Sequence, residues 1–86
     1  MSRYVICANG FIHIYATIVP TVNQPVFTYP IAFLSYCTAT VMGVDDRSFS
    51  TSIYSLSNTQ CKAYTFIQGT STNVVVEKMC FDIQGY

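Results

Sequence analysis

The sequence predicts an all-β fold, a small antiparallel β-sandwich of six to seven short strands. Apolar and polar residues alternate with a period of two over several segments, which is the pattern of strands with one buried face. The residues that favour strands, namely Thr, Val, Ile, Tyr and Phe, dominate these segments. Turn signals separate the segments at regular intervals, as they do in sandwiches and barrels.

The first clear strand is FIHIYATIV, residues 11–19. An Asn-Gly pair at 9–10 precedes it, and this pair is the strongest short hairpin signal. One face of the strand is wholly apolar and is expected to be buried: Ile12, Ile14, Ala16 and Ile18. The segment VPTVNQP, residues 19–25, then predicts a turn between two prolines.

The same alternation continues to the end of the chain. It predicts strands in SYCTATVM (35–42), STSIYSLS (50–57), CKAYTFIQ (61–68) and the final VVVEKMCFDIQGY (74–86). Loops are expected at 43–48, 57–60 and 68–73. The last segment begins with three valines and runs to Tyr86, so we expect its end to be held by sheet pairing or burial rather than to fray.

The composition indicates one domain, residues 1–86, that associates with copies of itself. Hydrophobic residues make up 51% of the chain and charged residues only 9%, against about 25% charged in an ordinary soluble protein. The net charge is zero and no basic stripe exists, which excludes nucleic-acid binding driven by phosphate neutralisation. No run of 18 apolar residues occurs, and polar residues interrupt the N-terminal apolar stretch, so neither a membrane span nor a signal peptide is expected.

Four cysteines, Cys7, Cys37, Cys61 and Cys80, are widely spaced and carry no C-x-x-C motif. This spacing does not suit a zinc site. Two disulfides in an exported protein remain open, with three possible connectivities. Because each cysteine lies within an apolar run, the sequence favours buried free thiols, which behave as small hydrophobes.

The stretch FTYPIAF, residues 27–33, resembles the T-V-T-F-P-I-A-F segment in the C-terminal domain of phage tail fibre proteins. LSYCTATVM follows in the place of that family's next strand, and MCFDIQGY resembles its closing strand, F-Y-W-I-A-I-G-Y. The resemblance covers residues 9–86 and rests on two anchors: Pro30-Ile31-Ala32-Phe33 and Gly85-Tyr86. The chain departs from the family pattern in the last strand, at Cys80, Asp82 and Gln84.

This resemblance implies a homotrimeric β-structured fibre tip that attaches a phage, or a phage-tail-like bacteriocin, to a bacterium. The implied partners are two further copies of the chain and a cell-surface glycan, lipopolysaccharide or outer-membrane protein. The implied location is the virion tail fibre tip. The alternative is the variable C-terminal segment of a conjugative pilus-tip adhesin that recognises recipient-cell lipopolysaccharide. Cysteine state separates the two, because phage fibres fold in a reducing cytoplasm and pilus adhesins cross an oxidising periplasm.

Candidate catalytic and metal-binding residues are few. His13 is the only histidine, and no nucleophile or orienting carboxylate lies near it in sequence. On a threefold axis three copies of His13 could hold a metal, although a single strand histidine is more often satisfied or exposed. Adjacent Asp45 and Asp46 suit turn chemistry better than glycan hydrolysis, whose carboxylates must face each other. We therefore expect no enzyme activity and no cofactor.

The residues expected to contact the receptor combine charge with aromatic rings. The segment DDRSF, residues 45–49, carries carboxylates, a guanidinium and a ring, the mixture that sugar recognition requires. Tyrosine suits binding surfaces because its rigid ring ends in one polar atom. The candidate receptor-binding residues are Asp45, Asp46, Arg47, Phe49, Tyr54 and Tyr64, whereas Tyr29 beside Pro30 is expected to be structural.

Overall fold

The computed structural model describes residues 2–45, 49–67 and 74–86, with the side chains of Ser2, Phe49 and Ile67 left out. These residues form seven β-strands: β1 (Ser2–Ile6), β2 (Ile12–Ile18), β3 (Val26–Thr28), β4 (Cys37–Val44), β5 (Phe49–Leu56), β6 (Gln60–Ile67) and β7 (Lys78–Gly85). Among the described residues there is no helix that could cross a membrane.

The strands form two antiparallel sheets, which confirms the predicted sandwich-like all-β fold. One sheet has four strands in the order β1-β2-β7-β4, and the other has three in the order β3-β6-β5. The two sheets are joined through aromatic contacts, among them the stacked rings of Phe27 on β3 and Phe81 on β7, whose centroids are 5.1 Å apart. The chain thus closes a core between two short sheets, which is how strands with one apolar face bury that face.

The predicted hairpin at the Asn-Gly pair is present between β1 and β2. The amide of Cys7 donates to the carbonyl of Phe11 at 2.8 Å, and the amide of Gly10 donates to the carbonyl of Cys7 at 2.9 Å. Gly10 has a φ of 89°, a conformation that side chains disfavour. The side-chain oxygen of Asn9 accepts from the Phe11 amide at 3.1 Å. Each residue of the pair therefore contributes to the turn by a different mechanism.

The predicted apolar face of β2 is buried at Ile12, Ile14 and Ala16 and half-buried at Ile18. Alternate residues of β2, β6 and β7 are buried, and they form most of the core: Ile12, Ile14, Ala16, Cys61, Ala63, Thr65, Met79, Phe81 and Ile83. Phe27, Tyr29, Phe33 and Val76 complete it from β3 and the irregular segments. Tyr29 is buried, as expected for a structural residue.

The final strand lies in the middle of the larger sheet, between β2 and β4. The amides of residues 34–36 all donate to the main-chain oxygen of Tyr86, at 3.0, 2.8 and 3.3 Å. The Tyr86 amide donates to the carbonyl of Tyr36 at 3.0 Å. The expectation that pairing holds this end is confirmed.

The three valines, however, precede the strand, which begins at Lys78, and Val76 is buried as a core residue outside it.

The family motif at residues 30–33 adopts a less regular form than the resemblance implies. The resemblance implies a strand that continues through Pro30, but β3 ends at Thr28. Proline has no amide hydrogen for a sheet ladder, which explains the early end. The main chain still follows the β5–β6 turn, because the amide of Tyr29 donates to Thr59 and that of Phe33 to Asn58, both at 2.9 Å. Of the motif, Phe33 is buried, Ile31 is half-buried, and Pro30 and Ala32 are exposed.

Strand β1 is covered on neither face. It pairs with β2 and contacts no other described strand. Tyr4 and Ile6 pair with the buried residues Ile14 and Ile12 and so point to the core side, yet both are exposed, as is Val5 on the other side. The second sheet is one strand narrower, so it leaves the inner face of β1 open.

Candidate functional site

The outer face of the three-stranded sheet carries a cluster of aromatic rings outside the core. In β6 the residues Cys61, Ala63 and Thr65 are buried, so Lys62, Tyr64 and Phe66 must point outward. Opposite them on β5 are the exposed serines of a Ser-x-Ser pattern. Strand alternation thus places two rings side by side, next to Lys62 and opposite a row of serine hydroxyl groups.

A β-bulge adds a third ring. The pairing of β5 with β6 shifts between Ile53 and Ser55, which leaves Tyr54 as the extra residue. A bulge redirects the side chain of its extra residue and increases the local twist. The Tyr54 ring lies 5.1 Å from that of Tyr64, at an interplanar angle of 65°. The bulge therefore completes the cluster.

We call the aromatic patch the group formed by Gln24, Tyr54, Tyr64 and Phe66. These four residues line a shallow depression of about 260 Å³. The rings of Tyr64 and Phe66 are 4.7 Å apart and nearly perpendicular, at 77°. The Tyr54 hydroxyl donates to the amide oxygen of Gln24 at 3.4 Å. Edge-to-face contacts fix the ring orientations, and the amide and hydroxyls supply polar atoms at the rim.

A larger depression, of about 500 Å³, lies on the outer face of the four-stranded sheet, beside a second one of about 410 Å³. Among the described residues that line these two depressions, Tyr15 is the only exposed aromatic ring, and it borders both. Binding sites for small ligands combine ring or apolar surface with a few convergent polar atoms. The aromatic patch has three rings and therefore meets this description better, although its depression is smaller.

The structure brings together two of the six candidate receptor-binding residues, Tyr54 and Tyr64. Asp45 is placed elsewhere, where its carboxylate accepts from the amide of Glu77 at 3.2 Å just before β7. Asp46, Arg47 and the side chain of Phe49 lie outside the described residues. Sequence reasoning missed Gln24 and Phe66. The alternation in CKAYTFIQ gave a signal for Phe66, whereas Gln24 is brought in from a turn distant in sequence.

No protein-family model, curated protein or solved structure matches this chain. The resemblance to tail fibre tips therefore rests on the motifs at 27–33 and 79–86. In the structure these two motifs meet, since Phe27 stacks on Phe81 and the segment after Phe33 holds Tyr86. These two segments, distant in sequence, thus pack against each other.

His13 has a carboxylate partner that the sequence did not predict. Its Nε2 lies 2.7 Å from Oδ1 of Asp82, and its ring packs 4.2 Å from that of Tyr15. Asp82 is 69 positions away and reaches His13 because β2 and β7 are paired. Asp82 is the only hydrogen-bond partner of the His13 side chain among the described residues, and no three potential metal ligands converge within them.

Cys37, Cys61 and Tyr29 form a partly buried polar cluster. The Tyr29 hydroxyl and the Cys37 thiol both donate to the carbonyl of Ser57, at 3.2 and 3.3 Å. Burial raises the pKa of the Cys61 thiol, and burial together with the neighbouring thiols raises the pKa of Tyr29 well above its usual value. A raised thiol pKa lowers the thiolate fraction, so Cys61 is not an activated nucleophile.

All four cysteines, each within the described residues, are free. Cys61 is buried, and Cys37 and Cys80 are half-buried. The expectation of burial is wrong for Cys7, which is exposed because it follows the uncovered strand β1 and opens the hairpin.

Proposed function

We propose that this chain is a non-enzymatic adhesion module, the receptor-binding tip of a phage tail fibre or phage-tail-like bacteriocin. It binds a glycan or the sugar part of lipopolysaccharide on a bacterial surface. The observation that carries the proposal is the aromatic patch. Three rings with fixed orientations, bordered by an amide and hydroxyl groups, match the two sides of a pyranose, which has an apolar C–H face and a polar rim.

The proposal includes a homotrimer, and the uncovered strand β1 supports it. Single exposed apolar residues are normal on a protein surface, but contiguous ones mark interfaces. Tyr4, Val5 and Ile6 are consecutive and exposed on both faces of an edge strand whose outer side pairs with no other described strand. Such an edge pairs readily with another chain. In a trimer three copies of the patch would act together, so weak sites would give strong attachment.

The free cysteines favour the fibre over the pilus alternative. A pilus-tip adhesin passes through an oxidising compartment, where thiols placed for pairing form disulfides. Free thiols are the state of a protein that folds in a reducing cytoplasm, as a phage fibre does.

The first expected result concerns the patch. Labelled wild-type protein should bind some members of a panel of Gram-negative strains that differ in surface polysaccharide. Tyr54→Ala removes a ring of the patch and should weaken this binding about tenfold or more, as loss of a central aromatic residue does. Flow cytometry over a range of protein concentrations measures the effect.

A matched control exists on the opposite sheet. Tyr15 is 45% exposed and Tyr54 is 46% exposed, so both substitutions remove an equally accessible ring. Tyr15→Ala should leave attachment unchanged. An equal loss of binding in both variants, or no loss in Tyr54→Ala, would show that the aromatic patch does not bind the receptor. If Tyr54→Ala instead dissociates the oligomer, the patch is a subunit interface.

The second expected result concerns self-association. Val5→Lys places a charge on the exposed edge of β1, a substitution that blocks edge pairing. Sedimentation should change from three chains per particle to one, with the circular dichroism of a folded β protein retained. Val19→Lys alters a valine that is also exposed but lies beyond the end of β2, and it should remain trimeric. A monomeric wild-type protein would contradict the trimer.

A further inference from the structure

We infer that the aromatic patch binds an anionic pyranose, one that carries a carboxylate or a phosphate, and that Lys62 receives the negative charge. This inference rests on the proposed function, because it names the class of sugar that the same site takes.

Lys62 lies beside the patch on the same face of the sheet. It is two residues from Tyr64 on β6, which places the two side chains about 7 Å apart along the strand. Across the ladder Lys62 pairs with Ser55, the residue that follows the bulged Tyr54. The Lys62 side chain is therefore attached next to both tyrosines.

The positive charge of Lys62 has no ionic partner among the residues that the structure describes. Outward positions of the described strands β3, β5 and β6 carry hydroxyl, amide, apolar and aromatic side chains, and Lys62 is their only charged residue. Lys62 forms no ion pair with the described residues. The opposite sheet differs, because its acidic residue Asp82 is already paired with His13. A ligand with a negative group would meet attraction at the patch and no repulsion from a described carboxylate.

The chemistry of the patch assigns separate roles to its groups. The rings of Tyr54 and Tyr64 suit the C–H face of a pyranose, and the Gln24 amide suits its hydroxyls. Neither group separates a charged sugar from a neutral one. Lys62 does, because a hydrogen bond between two charged groups is roughly twice as strong as a neutral one. Selectivity for an acidic sugar thus depends on Lys62, whereas the stacking depends on the rings.

The test is a titration of the full chain with three sugars, followed by the NMR signals of the tyrosine rings. The sugars are D-glucose, D-glucuronic acid and D-glucose 6-phosphate, which separate neutral, carboxylate and phosphate ligands. One or both charged sugars should shift the Tyr54 and Tyr64 signals saturably, at concentrations about tenfold below those of glucose. This preference should shrink at high salt, which screens exposed charges.

Two variants assign the preference to one residue. Lys62→Gln keeps a polar side chain and should bring the charged sugars to the affinity of glucose. Lys78→Gln removes an exposed lysine from the four-stranded sheet and should keep the preference. Equal affinity for all three sugars in the wild type, or a preference that survives Lys62→Gln, overturns the inference while sugar binding stands. If no sugar shifts the NMR signals of the tyrosine rings, the inference fails. The binding of the labelled protein to bacteria then tests the proposed function separately.

Discussion

Gly85→Ala is expected to destabilise the protein by at least about 3 kcal/mol, the upper range for forcing extra volume into a packed site. Gly85 is the last residue of β7, and an added Cβ would collide with the carbonyl oxygen of Tyr36 and lie 2.7 Å from the Cα of Cys37. Both are main-chain atoms, so no side-chain rotation can relieve the overlap. The strand end must move away from β4.

This movement would also break the hydrogen bonds around Tyr86. The amides of residues 34–36 and the Tyr36 carbonyl hold Tyr86 at distances of 2.8 to 3.3 Å, and all of them depend on the close approach at Gly85. Thermal unfolding measures the effect. For a domain of this size a loss of 3 kcal/mol corresponds to a fall in Tm of about 12 °C or more.

Gln84→Ala is the matched control for this substitution. Gln84 is the preceding residue on the same strand and its side chain is exposed, so its loss should change stability by less than about 0.5 kcal/mol. Protein concentration must be held constant, since self-association shifts the apparent stability. A Gly85→Ala protein as stable as wild type would mean that β7 and β4 do not approach so closely.

The strand pattern could be predicted because one-sided burial leaves a direct mark in the sequence. The apolar face of β2 and the buried positions of β6 alternate in a way that only a strand with one buried side explains. The Asn9-Gly10 turn was also predictable, because the positive φ that it requires depends only on the residues of the turn itself. Features that depend on a residue and its immediate neighbours can be read from the sequence.

Features that depend on pairing across the fold could not be predicted. Asp82 lies beside His13 only because β7 is inserted between β2 and β4, and the sequence contains no signal for that order. The aromatic patch likewise needs a bulge at Tyr54 and a turn that brings in Gln24. The prediction that the last strand begins at the three valines was wrong. Their β-propensity predicts a strand, but Val76 packs in the core before β7 begins at Lys78.

The two faces of the sandwich suggest a division of roles. The three-stranded sheet presents rings and a single cation, and the larger sheet ends in the uncovered edge β1. Because these features lie on different parts of the molecule, the proposed attachment and the proposed self-association need not compete for the same surface. A substitution in the aromatic patch should therefore leave self-association unchanged, and one in β1 should leave attachment unchanged. For this reason Tyr54→Ala and Val5→Lys separate the two properties.

Phe81→Ala is expected to cost about 3–5 kcal/mol, the usual range for removing a buried aromatic ring. Phe81 is 2% exposed and joins the sheets through its stack on Phe27. Small domains are stable by only about 5–15 kcal/mol, so this loss would remove a large fraction of the total stability. Phe81→Leu, which keeps most of the volume, should cost clearly less. Urea unfolding of both variants measures the difference, and a cost below about 1 kcal/mol for Phe81→Ala would show that the two sheets are joined elsewhere.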